Sequence, residues 1–105
     1  MPEPAFNPLI HAPHRLRICA MLSRADGIEF GEILDRIGLT KSALSKQVAQ
    51  LTEAGYISET AIVRDRRSRQ LLALTPEGRE AYAAHKAALQ ELIDAPDRTT
   101  STMDA

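Results

Sequence analysis

The sequence predicts a mainly helical α+β fold that carries one small antiparallel β-hairpin. Apolar residues recur at helical spacing in four segments, and two shorter segments are rich in Ile, Val, Leu and Thr. Glycine, proline and threonine residues stand at the ends of these segments, where caps and turns require them. With 105 residues, of which 44% are hydrophobic, the chain can build one core but not two.

Three helices are predicted in the first half of the chain, over residues 13–24, 31–37 and 40–54. Gly38 is suited to end the second helix, and Thr40 is a favourable N-cap for the third. Two helices joined by a short glycine-containing turn form a helix-turn-helix. Residues 40–54 are therefore expected to be the second helix of such a motif.

The second half of the chain predicts a hairpin followed by a long helix. The strands are expected over residues 56–63 and 69–74, with a further short extended piece at 28–30. Thr75 is a good N-cap and is followed by proline, a pair that favours a helix start. The last helix is therefore predicted over residues 76–94.

The two ends of the chain are predicted to lie outside the domain at residues 9–94. Residues 1–8 contain three prolines and are interpreted as an extended N-terminal arm, whereas the polar residues 95–105 are predicted to be disordered. We find neither a membrane-spanning run nor a secretory signal pattern. The lone Cys19 excludes an intrachain disulfide, so a cytoplasmic protein is expected.

Positive charge concentrates between residues 40 and 70, although the whole chain has a net charge of −1. Six Lys and Arg residues fall there against three Asp and Glu residues. Four of the six cations lie in the hairpin at Arg64, Arg66, Arg67 and Arg69. A basic hairpin that follows a helix-turn-helix suits phosphate attraction, so we expect DNA binding with residues 40–54 in the major groove.

Residues 9–93 resemble the compact winged-helix regulators related to the MarR and ArsR families. Three motifs carry the resemblance: GLTKSALSKQVAQLTEAGYI at 38–57, RDRR at 64–67 and LTPEG at 74–78. They are similar to the recognition helix, to the wing and to the segment that closes the wing. The resemblance implies a winged helix-turn-helix fold and a transcriptional regulator that binds double-stranded DNA sequence-specifically. Repression is the default expectation, because a domain this short has little surface left for recruiting polymerase.

The resemblance also implies which residues of the recognition helix face DNA, namely Lys41, Ser42, Ser45, Lys46 and Gln47. Lys46 and Gln47 are expected to read bases, because lysine suits the acceptors of guanine and glutamine suits adenine. The two serine hydroxyls are expected to hold phosphates.

In the wing, the resemblance places Arg66 and Arg67 at the minor groove, with Asp65 orienting one of them. Arg64 and Arg69 complete the expected DNA-binding set. MarR-type wings usually have an additional Asp where this chain has Ile62, which leaves the internal ion pairing of the wing open.

A homodimer is expected, because the apolar stripe of residues 76–94 is longer than a domain of this size needs. Residues 13–24 and the arm are expected to complete the interface. A two-fold dimer implies a pseudo-palindromic operator with half-sites about one helical turn apart. The alternative is a protein-interaction or assembly module whose basic hairpin meets an acidic partner.

No enzyme, cofactor or metal site is predicted. The sequence lacks a phosphate-binding glycine loop and a nucleophile with a matching histidine and acid. His11, His14, Cys19 and His85 are candidate metal ligands, but zinc sites have denser ligand spacing. Cys19 is instead expected in the core, and His85 is expected to be packed or at an interface.

Overall fold

The computed structural model describes residues 3–96, and within that range it contains five helices and three strands. In chain order they are α1 (Pro8–His11), α2 (Pro13–Ser23), β1 (Ile28–Glu29), α3 (Phe30–Ile37), α4 (Lys41–Glu53), β2 (Ile57–Arg64), β3 (Arg67–Leu74) and α5 (Pro76–Asp94). The predicted fold class, mainly helical with one hairpin, is confirmed.

The helix-turn-helix formed by α3 and α4 follows from local chemistry. Gly38 ends α3 in the left-handed region at φ 76°, where glycine meets no steric cost. The Thr40 hydroxyl then accepts a hydrogen bond of 3.1 Å from the backbone N–H of Ala43 and caps α4. The tight turn between the two helices is therefore fixed at both of its ends.

The sheet has the order β1-β3-β2, and both pairings are antiparallel. In the hairpin, Arg64 lies opposite Arg67, so the turn contains only Asp65 and Arg66. The expected connection over residues 64–68 is therefore wrong in its length. Both turn residues have positive φ, 54° and 64°, the conformation of a two-residue turn that matches the strand twist.

The N-terminal segment also differs from its interpretation as an extended arm through Pro8. A one-turn helix, α1, begins at Pro8, and the Asn7 side chain caps it by accepting from the N–H of Ile10 at 3.1 Å. Before it, the chain runs beside α5, where the N–H of Ala5 donates to the Ala84 carbonyl at 3.0 Å. The predicted disordered tail lies outside the described residues, apart from Ala95 and Pro96.

One hydrophobic core joins the helices to the inner face of the sheet. The α4 stripe of Leu44, Val48 and Leu51 is fully or almost fully buried, as its spacing predicts. Cys19 lies in the same cluster, and burial raises the pKa of its thiol to about 11, which disfavours the reactive thiolate. Among residues 3–96, no helix is long and apolar enough to cross a membrane.

Candidate nucleic-acid interface

The outer surface of α4 carries short polar and basic side chains. Lys41, Ser42, Ser45 and Lys46 are exposed, since the core stripe of the helix faces the opposite way. Gln47 lies on the flank of the helix and is half-buried. The first two turns of α4 therefore present donors and acceptors with no bulky apolar residue among them.

A shallow cleft of about 320 Å³ connects the start of α4 to the hairpin. Its lining residues are Glu29, Phe30, Gly31, Lys41, Ser68, Arg69 and Gln70. Lys41 thus shares one concave surface with Arg69 of β3 and with the first residues of α3. Lys41 and Arg69 are 28 positions apart in the sequence, yet they lie on the same side of the molecule.

The hairpin arginines divide into two pairs with different surroundings. Arg64 and Arg69 both form ion pairs with Glu29 of β1, at 2.6 Å and 3.4 Å. Arg66 and Arg67, at the exposed tip, form no ion pair within the described part of the chain. Two of the four arginines are therefore without an ion pair among residues 3–96, while Glu29 holds the other two.

Glu29 was missed by sequence reasoning, which assigned the orienting role to Asp65. In the structure Asp65 forms no ion pair among residues 3–96, so that expectation is corrected. Glu29 lies opposite Leu71, and alternation along β3 puts Leu71 and Arg69 on one face. The acid that pairs with the hairpin arginines therefore lies on β1 and not within the hairpin.

Gln47 has a fixed partner that the sequence did not indicate. Its Oε1 accepts a hydrogen bond of 2.8 Å from Nη1 of Arg15 on α2. The Arg15 Nε also donates to the Leu9 carbonyl of α1, at 2.6 Å. Arg15 therefore connects α1, α2 and the flank of α4.

Two of the candidate metal ligands, His11 and His85, lie together, but they form no ligand set. His11 Nδ1 and His85 Nε2 are 3.3 Å apart, and the Phe6 ring packs on both imidazoles. His85 is fully buried; burial and the charge of His11 lower its pKa. Within the described residues, no group of three or more His, Cys, Asp or Glu side chains could hold a metal ion.

Comparison with known proteins gives a family match over most of the chain. The family model described as a winged helix DNA-binding domain matches residues 14–93. That range includes the helix-turn-helix, the hairpin and nearly all of α5. A comparison with curated protein sequences found no match.

Several solved structures share the fold. A transcriptional regulator homologue from Pyrococcus horikoshii OT3 is 24% identical, with a TM-score of 0.77 over 82% of this chain and 85% of that chain. The Staphylococcus aureus protein MepR, in its complex with DNA, is 16% identical, with a TM-score of 0.71 over 91% and 78% of the two chains. A MarR family protein from Porphyromonas gingivalis W83 is 19% identical, with a TM-score of 0.66 over 84% and 85%. These values confirm the predicted likeness to MarR-type folds.

Proposed function

Since this chain belongs to the family of winged helix DNA-binding domains, we propose that it is a transcriptional repressor that binds double-stranded DNA sequence-specifically. The likeness to a DNA-bound protein, MepR, and to a transcriptional regulator homologue supports the proposal. Because its proposed ligand is chromosomal DNA, we expect it to act in the cytoplasm. An enzymatic role has no support, because the matched family is a DNA-binding one.

The observation that carries the proposal is the shared cleft between α4 and the hairpin. Lys41 lines this cleft. Four cations of α4 and the hairpin have no carboxylate within ion-pair distance among residues 3–96: Lys41, Lys46, Arg66 and Arg67. Unpaired cations on one side of a protein with net charge −1 favour a polyanion at that surface.

In the proposed complex, the first turns of α4 enter the major groove and the hairpin follows the adjacent backbone. Lys46 reads a base, while Lys41, Ser42 and Ser45 hold phosphates. Arg66 and Arg67 reach the minor groove from the hairpin tip. Arg64 and Arg69 are held by Glu29 and contact DNA with their remaining N–H groups.

Replacing Lys46 and Arg66 together with alanine is expected to weaken duplex binding between about tenfold and 100-fold. Loss of a cation that neutralises a phosphate also lowers the log–log slope of affinity against salt by about one unit, since fewer counterions are released. The measurement is fluorescence anisotropy with labelled genomic fragments, over a series of salt concentrations.

The matched control is Arg24→Ala. Arg24 is exposed and lies beside the carbonyls of Ser23 and Ala25, both bound by Arg79 near the start of α5. The start of α5 follows the end of β3 that is farthest from the hairpin tip. Arg24→Ala should therefore retain the wild-type affinity and the wild-type dependence of affinity on salt. If the wild type binds no genomic fragment at low salt, the regulator proposal is wrong and the protein-interaction module is favoured.

We also propose a homodimer through α5. Its last turns expose Leu92 and Ile93, which are 66% and 74% accessible. On a different face of α5, an apolar groove lies between Pro4 of the arm and residues Ala83, Lys86, Ala87, Gln90, Glu91, Asp94 and Ala95. If two copies of α5 pair antiparallel about Gln90, Lys86 of each copy meets Asp94 of the other. The groove is therefore self-complementary in charge as well as apolar.

Replacing Ala83 and Ala87 together with glutamate is expected to convert a micromolar dimer into a monomer, since four carboxylates would enter the apolar groove between the two copies. Sedimentation equilibrium measures the change. Val63→Glu is the control, because Val63 is an exposed apolar residue, 77% accessible, on β2. A wild-type protein that sediments as a monomer at micromolar concentration contradicts the dimer proposal, and with it the pseudo-palindromic operator.

A further inference from the structure

We propose that Arg15 is a positioning residue for DNA recognition, which fixes the amide of Gln47 and so sets the base preference of α4. The inference rests on the proposed function and adds a specificity determinant outside the helix-turn-helix and the hairpin. Arg15 lies on α2 and is half-buried. Its side chain spans the space between α1 and α4.

The hydrogen-bonding chemistry settles the orientation of the Gln47 amide. A guanidinium has only donors, so the Gln47 atom 2.8 Å from Arg15 Nη1 must be the oxygen Oε1. The amide nitrogen Nε2 then points away from Arg15. A free glutamine rotates its amide and offers either a donor or an acceptor, but this one has its donor end free.

A preference for acceptors on the DNA follows from that orientation. Adenine recognition by glutamine uses both ends of the amide, whereas the hydrogen bond from Arg15 takes one of the two lone pairs of Gln47 Oε1 and fixes the direction of that oxygen. The free Nε2–H₂ group is suited to an acceptor such as N7 or O6 of guanine. The expected assignment of Gln47 to adenine is therefore replaced, in this proposal, by a donor contact to an acceptor-bearing base.

Arg15 is itself held in place by α1. Its Nε donates to the Leu9 carbonyl at 2.6 Å, within a one-turn helix that Asn7 caps. Carbonyls at the end of such a short helix have no partner inside the helix, so Leu9 offers a free acceptor. Within residues 3–96 no carboxylate lies within 4.0 Å of the guanidinium. The contacts of Arg15 are thus two oxygens from two different elements, a fork that lysine cannot reproduce.

The sharpest test is Arg15→Lys, because this change keeps the charge and removes the fork. Selection of bound sequences from a random duplex library gives the base preference at each position. In Arg15→Lys, the preference for the favoured base over the other bases is expected to fall about tenfold at one position of the site. Gln47→Ala is expected to affect the same position. The slope of affinity against salt should stay at its wild-type value, since the charge is retained. Arg17→Lys, an exposed neighbour on α2, is the matched control and should keep the full preference.

A second variant tests the same idea without changing α2. Gln47→Glu retains an oxygen for Arg15 but replaces the free donor with an acceptor. It should shift the preference at that one position towards a base that presents a donor, such as the N4–H₂ of cytosine. Thermal unfolding of each variant confirms that it is folded.

Two results overturn the inference. One is a wild-type preference profile in both Arg15→Lys and Gln47→Glu. The other is a uniform loss of affinity for all sequences in Arg15→Ala with a reduced salt slope, which would make Arg15 a phosphate contact only. If instead the wild-type protein selects no sequence at all, the proposed function fails and the inference fails with it.

Discussion

Replacing Gly78 with alanine is expected to lower the free energy of unfolding by about 3 kcal/mol. A Cβ at this position would lie 2.1 Å from the carbonyl oxygen of Tyr56 and 2.9 Å from its Cα. Both are backbone atoms, so no side-chain rotation can relieve the contact. The start of α5 would have to move away from the connection between α4 and β2.

That movement would break a compact set of hydrogen bonds. The N–H of Thr75 donates to the Tyr56 carbonyl at 3.0 Å, and its hydroxyl donates to the Gly55 carbonyl at 2.6 Å. The same hydroxyl accepts from the N–H of Gly78 at 2.9 Å, which caps α5. Because steric strain and lost bonds add, the melting temperature should fall by roughly 10–20 °C. Urea unfolding followed by circular dichroism measures the free energy directly.

Gly31→Ala is the matched control for this experiment. Gly31 lies in the first turn of α3, and nothing lies within 4 Å of a Cβ built there. Alanine in a helix is favoured over glycine by roughly 0.5–1 kcal/mol, so this variant should be as stable as the wild type or slightly more stable. Equal destabilisation by the two substitutions would contradict a role for the close approach at Gly78.

The sequence predicted those parts of the fold that depend on near neighbours along the chain. Thr40 and Thr75 cap the helices that follow them, and Gly38 ends α3, because a cap needs only the next few residues. The turn length of the hairpin was overestimated, since the four arginines resemble a loop in composition. In the structure Arg64 and Arg67 are paired across the two strands.

The features that the sequence did not predict depend on contacts between distant residues. Glu29 meets Arg64 and Arg69 only because β1 adds to the far edge of β3 in a particular register. Arg15 meets Gln47 across 32 positions of sequence. By contrast, α1 had a local signal, an asparagine N-cap followed by proline, in a segment whose proline content indicated extended chain.

The same kind of distant contact makes the stability of the protein depend on pH. The free energy of unfolding is expected to fall as the pH drops below about 6.5. The reason is His85, which is fully buried on α5. Desolvation, and next the charge of His11, lower its pKa from the ordinary value of 6.5.

The hydrogen bonds show why the charged form is disfavoured. The N–H of Asn7 donates to His85 Nδ1 at 2.9 Å, and an N–H can only donate, so Nδ1 carries no proton. The neutral ring therefore has its proton on Nε2, which faces His11 Nδ1 at 3.3 Å. Protonation would set Nδ1–H against the N–H of Asn7, so the charged ring would lose this hydrogen bond inside the protein.

The sign of the effect follows from proton binding. Between 6.5 and the lowered pKa of the folded state, the unfolded chain binds more protons than the native protein, so stability rises with pH. The contribution is complete above 6.5 and is lost as the pH falls through that window. Urea unfolding at a series of pH values between 5 and 8 measures it, since carboxylates stay largely ionised in that range.

His85→Asn separates this effect from other sources of acid sensitivity. The asparagine oxygen can still accept from the N–H of Asn7, but it does not titrate, so the dependence below pH 6.5 should flatten. His14→Asn is the control, because His14 is exposed on α2 and should leave the wild-type slope unchanged. If His85→Asn keeps the slope of the wild type, the protons are bound elsewhere. If the pH dependence disappears in His85→Asn, protonation of His85 is its source. The docking of the arm against α5 then depends on a neutral His85, because the N–H of Asn7 in the arm donates to His85 Nδ1.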